Sequence, residues 1–201
     1  MIVKELKEIN LSNLLPKKIT NLKSMFFKCK KLKEIDLSNF DTSNVTNIGR
    51  MFAKCYCLKN VKLNLIFAEN VIDMNSMFKD CYNLTNLNLD SFYTKNVTDM
   101  SCMFSGCESL NIFLNFDTSK VTNMSCTFSG CKSLKNLTLK FSTEKVVSMA
   151  KMFRGCINLE ILNISSFTGE SLEESDNMYA QCLNIHTIIY NSKYPEFEKN
   201  N

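Results

Sequence analysis

The feature that most constrains the fold is a period. Cysteines recur at Cys29, Cys55, Cys81, Cys107, Cys131, Cys156 and Cys182, at spacings of 26, 26, 26, 24, 25 and 26. Three residues before each stands an aromatic: Phe26, Phe52, Phe78, Phe104, Phe128, Phe153 or Tyr179. Three residues after stands Leu32, Leu58, Leu84, Leu110, Leu134, Leu159 or Ile185. Self-similarity at 20–50 residues marks a chain built from stacked supersecondary units, each too small to bury its own apolar face.

Two patterns alternate within a unit. In residues 40–63, Val45, Ile48, Met51, Phe52 and Cys55 follow a 3-and-4 spacing, which predicts an amphipathic helix. Asp, Thr, Ser and Asn ahead of it can accept hydrogen bonds from a first helical turn. Gly106, Gly130 and Gly155, just before their cysteines, suit a left-handed C-terminal cap. After the cysteine, Leu32, Ile35 and Leu37 alternate with polar residues, which predicts a short half-buried strand. Strand and helix repeated in phase place equivalent residues on equivalent faces, so neighbouring strands must be parallel. The expected fold is therefore an α/β solenoid of the leucine-rich-repeat type. It would carry seven to eight short parallel strands on one side and helices on the other.

The expected extent is a single solenoid domain over 1–201, with a partial first repeat at 3–14 and a C-terminal tail from about 191. Val3, Leu6, Ile9 and Leu11 sit one period before Cys29, Leu32, Ile35 and Leu37. An uncovered first strand would expose apolar surface and unpaired backbone. End-to-end self-association through that N-terminal strand is the corresponding expectation. At the far end, Tyr190, Tyr194 and Phe197 are placed to fold over the last repeat.

The residues then match a known pattern. "FDTSNVTNIGRMFAKC", "FYTKNVTDMSCMFSGC" and "FDTSKVTNMSCTFSGC", each followed by a leucine–strand segment, resemble the BspA-type leucine-rich-repeat surface proteins. The resemblance covers residues 3–190 and departs at repeat four, where two residues are missing between Leu110 and Phe116. It implies a β/α solenoid used for adhesion or protein binding, often at a cell surface, and it carries no catalytic residues.

The chemistry read from the residues points the same way. Every methionine except Met1 falls at a position in the expected helix of a repeat, so methionine is core filler and not a copper or cofactor box. The seven laddered cysteines lack the paired short spacing of a zinc site and read as small buried hydrophobes. No metal or cofactor is expected. Cys102 and Cys126 fall outside the ladder at one shared repeat position. They would sit exposed on neighbouring turns, a pair able to close a surface disulfide in an oxidising compartment. The one histidine, His186, has no second base beside it, and no Gly-rich phosphate loop exists, so an enzyme is not expected. Residues 1–33 hold nine lysines against Glu5 and Glu8, a net of 9 − 2 = +7, leaving 4 − 7 = −3 for the rest. No arginine or aromatic interleaves those lysines, so nucleic acid is not the expected partner.

A binding surface, if present, should be the outward face of the sheet: Glu34, Asp36, Lys62, Asn88, Asp90, Thr138, Lys140 and Asn163. The expected function is a non-enzymatic interaction or adhesion module for a protein or cell-surface ligand. The alternative is a structural spacer or a fragment of a longer array, with no dedicated ligand. No apolar run reaches the 18 residues of a membrane span. The start lacks a secretory leader, so the resemblance favours the cell surface while a true start at Met1 would favour the cytoplasm.

Overall fold

A computed structural model describes residues 19–38, 41–63, 69–87, 89, 92–112 and 114–198. Seven turn segments, each ending at one laddered cysteine, stack as the rungs of a coil. Parallel bridges join Asn21, Asn47, Asp73, Asp99, Asn123, Ser148 and Glu174 in one unbroken series. On the other side, among the described residues, are two three-stranded parallel sheets. β1 (Glu34–Leu37), β2 (Asn60–Leu63) and β3 (Asn86–Leu87) form the first. β4 (Asn136–Thr138), β5 (Ile161–Ile164) and β6 (Thr187–Tyr190) form the second.

The expected helices are absent, and this corrects the α/β assignment. Among the described residues the only helical element is a 3-10 turn at Pro195–Phe197. The 3-and-4 spacing arises instead from consecutive tight turns. In rung two the amides of Met51, Ala53 and Cys55 donate back three residues to the carbonyls of Ile48, Arg50 and Phe52. The intervening amides leave the rung: Ile48, Arg50, Phe52 and Lys54 donate to the carbonyls of Asp73, Asn75, Met77 and Lys79 in the next. An α-helix would keep all these donors for itself.

Two left-handed residues per rung enforce this path. The first column, from Ser24 through Arg50, Ser76, Cys102, Cys126 and Lys151 to Asn177, has φ between +54° and +60°. The second runs Lys28, Lys54, Asp80, Gly106, Gly130, Gly155 and Gln181, with φ from +60° to +76°. The glycines thus do occupy left-handed positions, but inside turns and not at helix caps. A turn closed from residue i to i+3 with positive φ at its third residue explains both columns.

The expected single sheet of seven to eight strands is corrected as well. It breaks at rung four, where no strand follows Cys107 among the described residues. In rungs two and three, Leu58 and Leu84 are followed three residues later by the inward Val61 and Leu87. After Leu110 the equivalent Ile112 comes two residues on. One residue is missing just where the strand ladder would start. Leu114 nevertheless stays buried between its equivalents Leu89 and Leu139, so the core runs through a gap the hydrogen bonds do not cross.

That core is columnar. Phe26, Phe52, Phe78, Phe104, Phe128, Phe153 and Tyr179 stack with centroid separations from 5.3 to 6.1 Å. Beside them the cysteines do more than fill volume. Cys55 donates its thiol hydrogen to the carbonyl of Phe26 at 3.0 Å, Cys81 to Phe52 at 3.2 Å, and Cys107 to Phe78 at 3.1 Å. Cys131, Cys156 and Cys182 continue the series to Phe104, Phe128 and Phe153. Each thiol satisfies the second lone pair of a buried carbonyl one rung away. At the C-terminal end Phe197 is fully buried, meets Phe167 edge-on at 5.9 Å, and accepts a hydrogen bond from the Tyr179 hydroxyl on its carbonyl at 3.1 Å.

Candidate binding surface

Strand alternation turns every second side chain of β1, β2, β4, β5 and β6 away from the core. Glu34 and Asp36 on β1, Lys62 on β2 and Thr138 on β4 are exposed, as is Lys140 just beyond β4; Asn163 on β5 is half-buried. Asn88 and Asp90 lie outside the described residues, as do Val3, Leu6, Ile9 and Leu11. Register brings Asp36 opposite Lys62, and the two pair at 3.3 Å. Register also brings Thr138 opposite Asn163. Glu34 stands opposite Asn60.

The face is charged but largely self-neutralised. The Ser38 hydroxyl and amide both donate to Asp36, at 2.6 and 3.0 Å, and with Lys62 they hold its carboxyl below the usual range. Asn163 accepts from the Ser165 amide at 3.0 Å. An exposed ion pair of this kind contributes only about 0–1 kcal/mol. Sequence reasoning missed the apolar members of the face: Ile189 on β6 is 45% exposed and lies opposite Asn163. It also missed a partly exposed stack on the turn side, Tyr56 over Tyr82 at 5.1 Å, with the Lys30 ammonium 5.3 Å from the Tyr56 ring. Reading the residue after each laddered cysteine as its own column would have found that stack.

Cys102 and Cys126 are free thiols, half-buried and not fully exposed as expected, on neighbouring rungs. Their backbones are tied through the Cys102 amide, which donates to the carbonyl of Ser125 at 2.8 Å. Burial raises the Cys102 thiol above its ordinary value, Lys79 opposes this, and Cys126 adds to it. His186 is exposed, with Nδ1 3.0 Å from the Thr187 hydroxyl. No group of three or more His, Cys, Asp or Glu among the described residues is placed to hold a metal ion. No helix among them is long and apolar enough to cross a membrane. Two asparagines that begin Asn-x-Ser/Thr triplets are engaged in the ladder: Asn83 donates to the Tyr56 carbonyl and Asn96 to that of Glu69.

Rungs closed by tight turns on one side and parallel strands on the other, around columns of leucine, phenylalanine and cysteine, make this a leucine-rich-repeat-type solenoid with no α-helix among the described residues. The chain belongs to the family described as "Mycoplasma protein of unknown function, DUF285", whose model matches residues 2–115 and again 112–199. No curated protein matches it. Among solved structures it is similar to a leucine-rich repeat protein from Bacteroides ovatus (17% identity, 87% of this chain and 59% of that one, TM-score 0.35). It is also similar to a leucine rich cell surface protein from Faecalibacterium prausnitzii (16%, 87% and 64%, TM-score 0.30). A third is the T. pallidum leucine rich repeat protein (14%, 88% and 65%, TM-score 0.36). The chain thus spans less than two thirds of the length of these structures.

Proposed function

We propose that the chain is a non-enzymatic interaction module that meets a protein or cell-surface ligand through the outward face of its two sheets. The observation that carries this reading is the polar face: Glu34, Asp36 and Lys62 in register on one sheet, and Thr138 and Asn163 in register on the other with Lys140 just beyond β4. Short parallel strands repeated along a coil offer several weak, similar contacts to an extended partner, and their sum supplies the affinity. The test is binding of the labelled chain to immobilised peptide and glycan arrays. Asp36→Ala, Lys62→Ala and Lys140→Ala together should lower any retained binding at least about tenfold, the loss of one to two hot-spot contacts, with the melting temperature unchanged. Binding that survives all three changes would contradict the reading.

The spacer reading keeps one point in its favour. Asp36 and Lys62 already neutralise each other, and the described face carries no aromatic or arginine anchor. Arrays that retain nothing would move the assignment there.

The repeat residues that resemble BspA-type proteins support a cell-surface location, testable by antibody labelling of intact cells. In an oxidising compartment Cys102 and Cys126 would join by thiol–disulfide exchange, reducing one molecule of oxidised glutathione to two of glutathione and losing two hydrogens from the chain. Intact mass of the exported protein reads this directly. An unchanged mass after equilibration with oxidised glutathione would remove the pair from consideration.

A further inference from the structure

The turn face, unlike the sheet face, carries positive charge that is not neutralised. Its solvent side is formed by the two left-handed columns and the column between them, which runs from Phe27 through Lys79 and Arg154 to Ala180. Rung two places Arg50 and Lys54 there, rung three Lys79, and rung six Lys151 and Arg154. Arg50, Lys151 and Arg154 are exposed, and Lys54 and Lys79 are half-buried. Among the described residues none of the five pairs with a carboxylate; the ion pairs belong to Lys23, Lys62, Lys132 and Lys193. Asp80 is the one acidic residue in these three columns, and it leans on Gly106, where an added Cβ would meet its Oδ1 at 2.8 Å. Like charges gathered on one face repel each other, so they add nothing to the fold and suit an anionic partner.

The cations form two groups with a low saddle between them. Rungs four and five carry Cys102, Ser105, Gly106, Cys126, Ser129 and Gly130 in the same columns, all small and uncharged. Rungs two and six are four steps apart along the coil, and the stacked rings mark steps of 5.5 to 5.9 Å. Beyond the saddle a groove of ≈ 570 Å³ opens, with Gly130, Gly155, Ile157, Leu183 and Arg154 in its lining. Leu183 is 78% exposed, an apolar side chain that the fold leaves uncovered. Apolar surface beside an unpaired guanidinium suits a ring with a C–H face and an acidic substituent, which is the surface of an acidic sugar. Phe27 is the one aromatic ring in the three columns, and the Arg50 guanidinium and Lys28 ammonium lie 4.6 and 4.9 Å from its centroid. No ring there is left for a nucleobase to stack on. Rung seven, residues 172–185, holds Glu173, Glu174 and Asp176 and no lysine or arginine, so a flat anionic bilayer laid along the coil would meet carboxylates. A single flexible strand can stop short of them.

We propose that the turn face is a second binding surface, which holds a linear anionic polysaccharide along the coil axis. Arg50, Lys54 and Lys79 meet one set of sulfate or carboxylate groups, and Lys151 and Arg154 meet another. The sugar backbone crosses the Ser–Gly saddle, and one ring seats in the groove against Ile157 and Leu183. This surface is separate from the sheet face and does not rest on what that face binds.

Fluorescence anisotropy of labelled heparin, labelled polygalacturonate and neutral dextran with the full chain tests this, the first two probes separating sulfate from carboxylate recognition. At least one charged glycan should bind at about 0.05 M salt and dextran should not, and about 0.5 M salt should release it. The variants take residues already present in the same columns, so the turns keep their shape. Arg50→Ser with Lys54→Gln, and Lys151→Asn with Arg154→Ala, should each weaken binding about thirtyfold, at roughly fivefold per cation near a polyanion. Each pair should also flatten the dependence of log affinity on log salt by about 2, one per lost cation. Melting temperatures verify that both variants fold, and Arg50→Lys with Arg154→Lys should retain binding. Asp36→Ala, Lys62→Ala and Lys140→Ala together should leave the glycan affinity as it is, which separates this surface from the sheet-face reading. No binding to either charged glycan at low salt, or binding that survives both double changes, would overturn the proposal. So would tighter binding to single-stranded DNA or to phosphatidylserine vesicles than to the glycans.

Discussion

The turn side and the sheet side of this coil respond differently to the same lesion. Two residues are missing from repeat four, yet on the turn side Asp99 bridges Asn123 as regularly as Asn47 bridges Asp73. On the sheet side the ladder stops at β3 and resumes at β4. The turn segments 97–110 and 121–134 keep identical internal spacing, so their donors and acceptors still meet. The strand that should follow Leu110 loses one residue before its first inward side chain, and a one-residue slip turns every strand side chain to the wrong face. The chain keeps Ile112 and Leu114 inward and gives up the strand hydrogen bonds instead. Continuity therefore rests on the turns and the core columns, with the sheets secondary.

The comparison can be broken hardest in the aromatic column. Phe128 is buried and stacks on Phe104 at 5.8 Å and on Phe153 at 5.7 Å. Phe128→Ala should cost about 3–5 kcal/mol in denaturant unfolding, the range for a large buried ring. Thr138→Ala, on the outward sheet face of the same rung, should change stability by less than about 0.5 kcal/mol. Equal costs would mean that the two sides share the load.

Next in size is the thiol column. Cys131→Ala removes the thiol donor from the Phe104 carbonyl and leaves a small void, so a loss of about 1–2 kcal/mol is expected. The same thiols make stability fall in alkali. Burial raises Cys131 from 9.0 to about 12 and also raises Cys81 and Cys107, while Cys156 is raised first by its hydrogen bond with Cys182 and then by burial. The unfolded chain ionises its thiols first, so their contribution is complete below about pH 9 and is lost as pH climbs toward 12. The melting temperature should drop over that window, and less steeply in Cys131→Ala. For the same reason Cys81, Cys107, Cys131 and Cys156 should resist a thiol reagent at neutral pH until the chain unfolds.

Smaller effects come from the left-handed columns. Lys151 holds φ +58°, a conformation costing a non-glycine residue about 1–2 kcal/mol. Lys151→Gly relieves that cost against its own extra chain entropy, for a net gain of about 0.5–1 kcal/mol. Smallest of all, inserting one serine between Leu110 and Asn111 should restore strand register across rung four. The expected sign is slower amide exchange on the sheet side with little change in melting temperature.

How far the residues disclosed this fold can be argued position by position. The period, the inward columns and parallel strands followed from Cys, Phe and Leu recurring at fixed offsets. The helices did not exist because a 3-and-4 spacing is shared by amphipathic helices and by chains of i to i+3 turns. The signal that separates them lay in Ser24, Arg50, Ser76, Cys102, Cys126, Lys151 and Asn177: no β-branched residue stands in that column, as positive φ demands. Gly106, Gly130 and Gly155 gave the second column away at three rungs only. On the sheet face, the outward positions of Asp36 and Lys62 followed from alternation. Their mutual pairing depends on strand register, and the part played by Ile189 depends on which strand ends the sheet.

Amide hydrogen exchange at rung four tests the central claim most directly. The amides of Met100, Cys102, Phe104 and Gly106 donate across the rung-four boundary, at 2.7 to 3.0 Å. The account predicts that they exchange as slowly as those of Ile48, Arg50, Phe52 and Lys54, while amides between Leu110 and Phe116 exchange fast. Rapid exchange at Cys102 and Phe104 would show that the coil opens there, and would contradict a turn ladder that holds where the sheet does not.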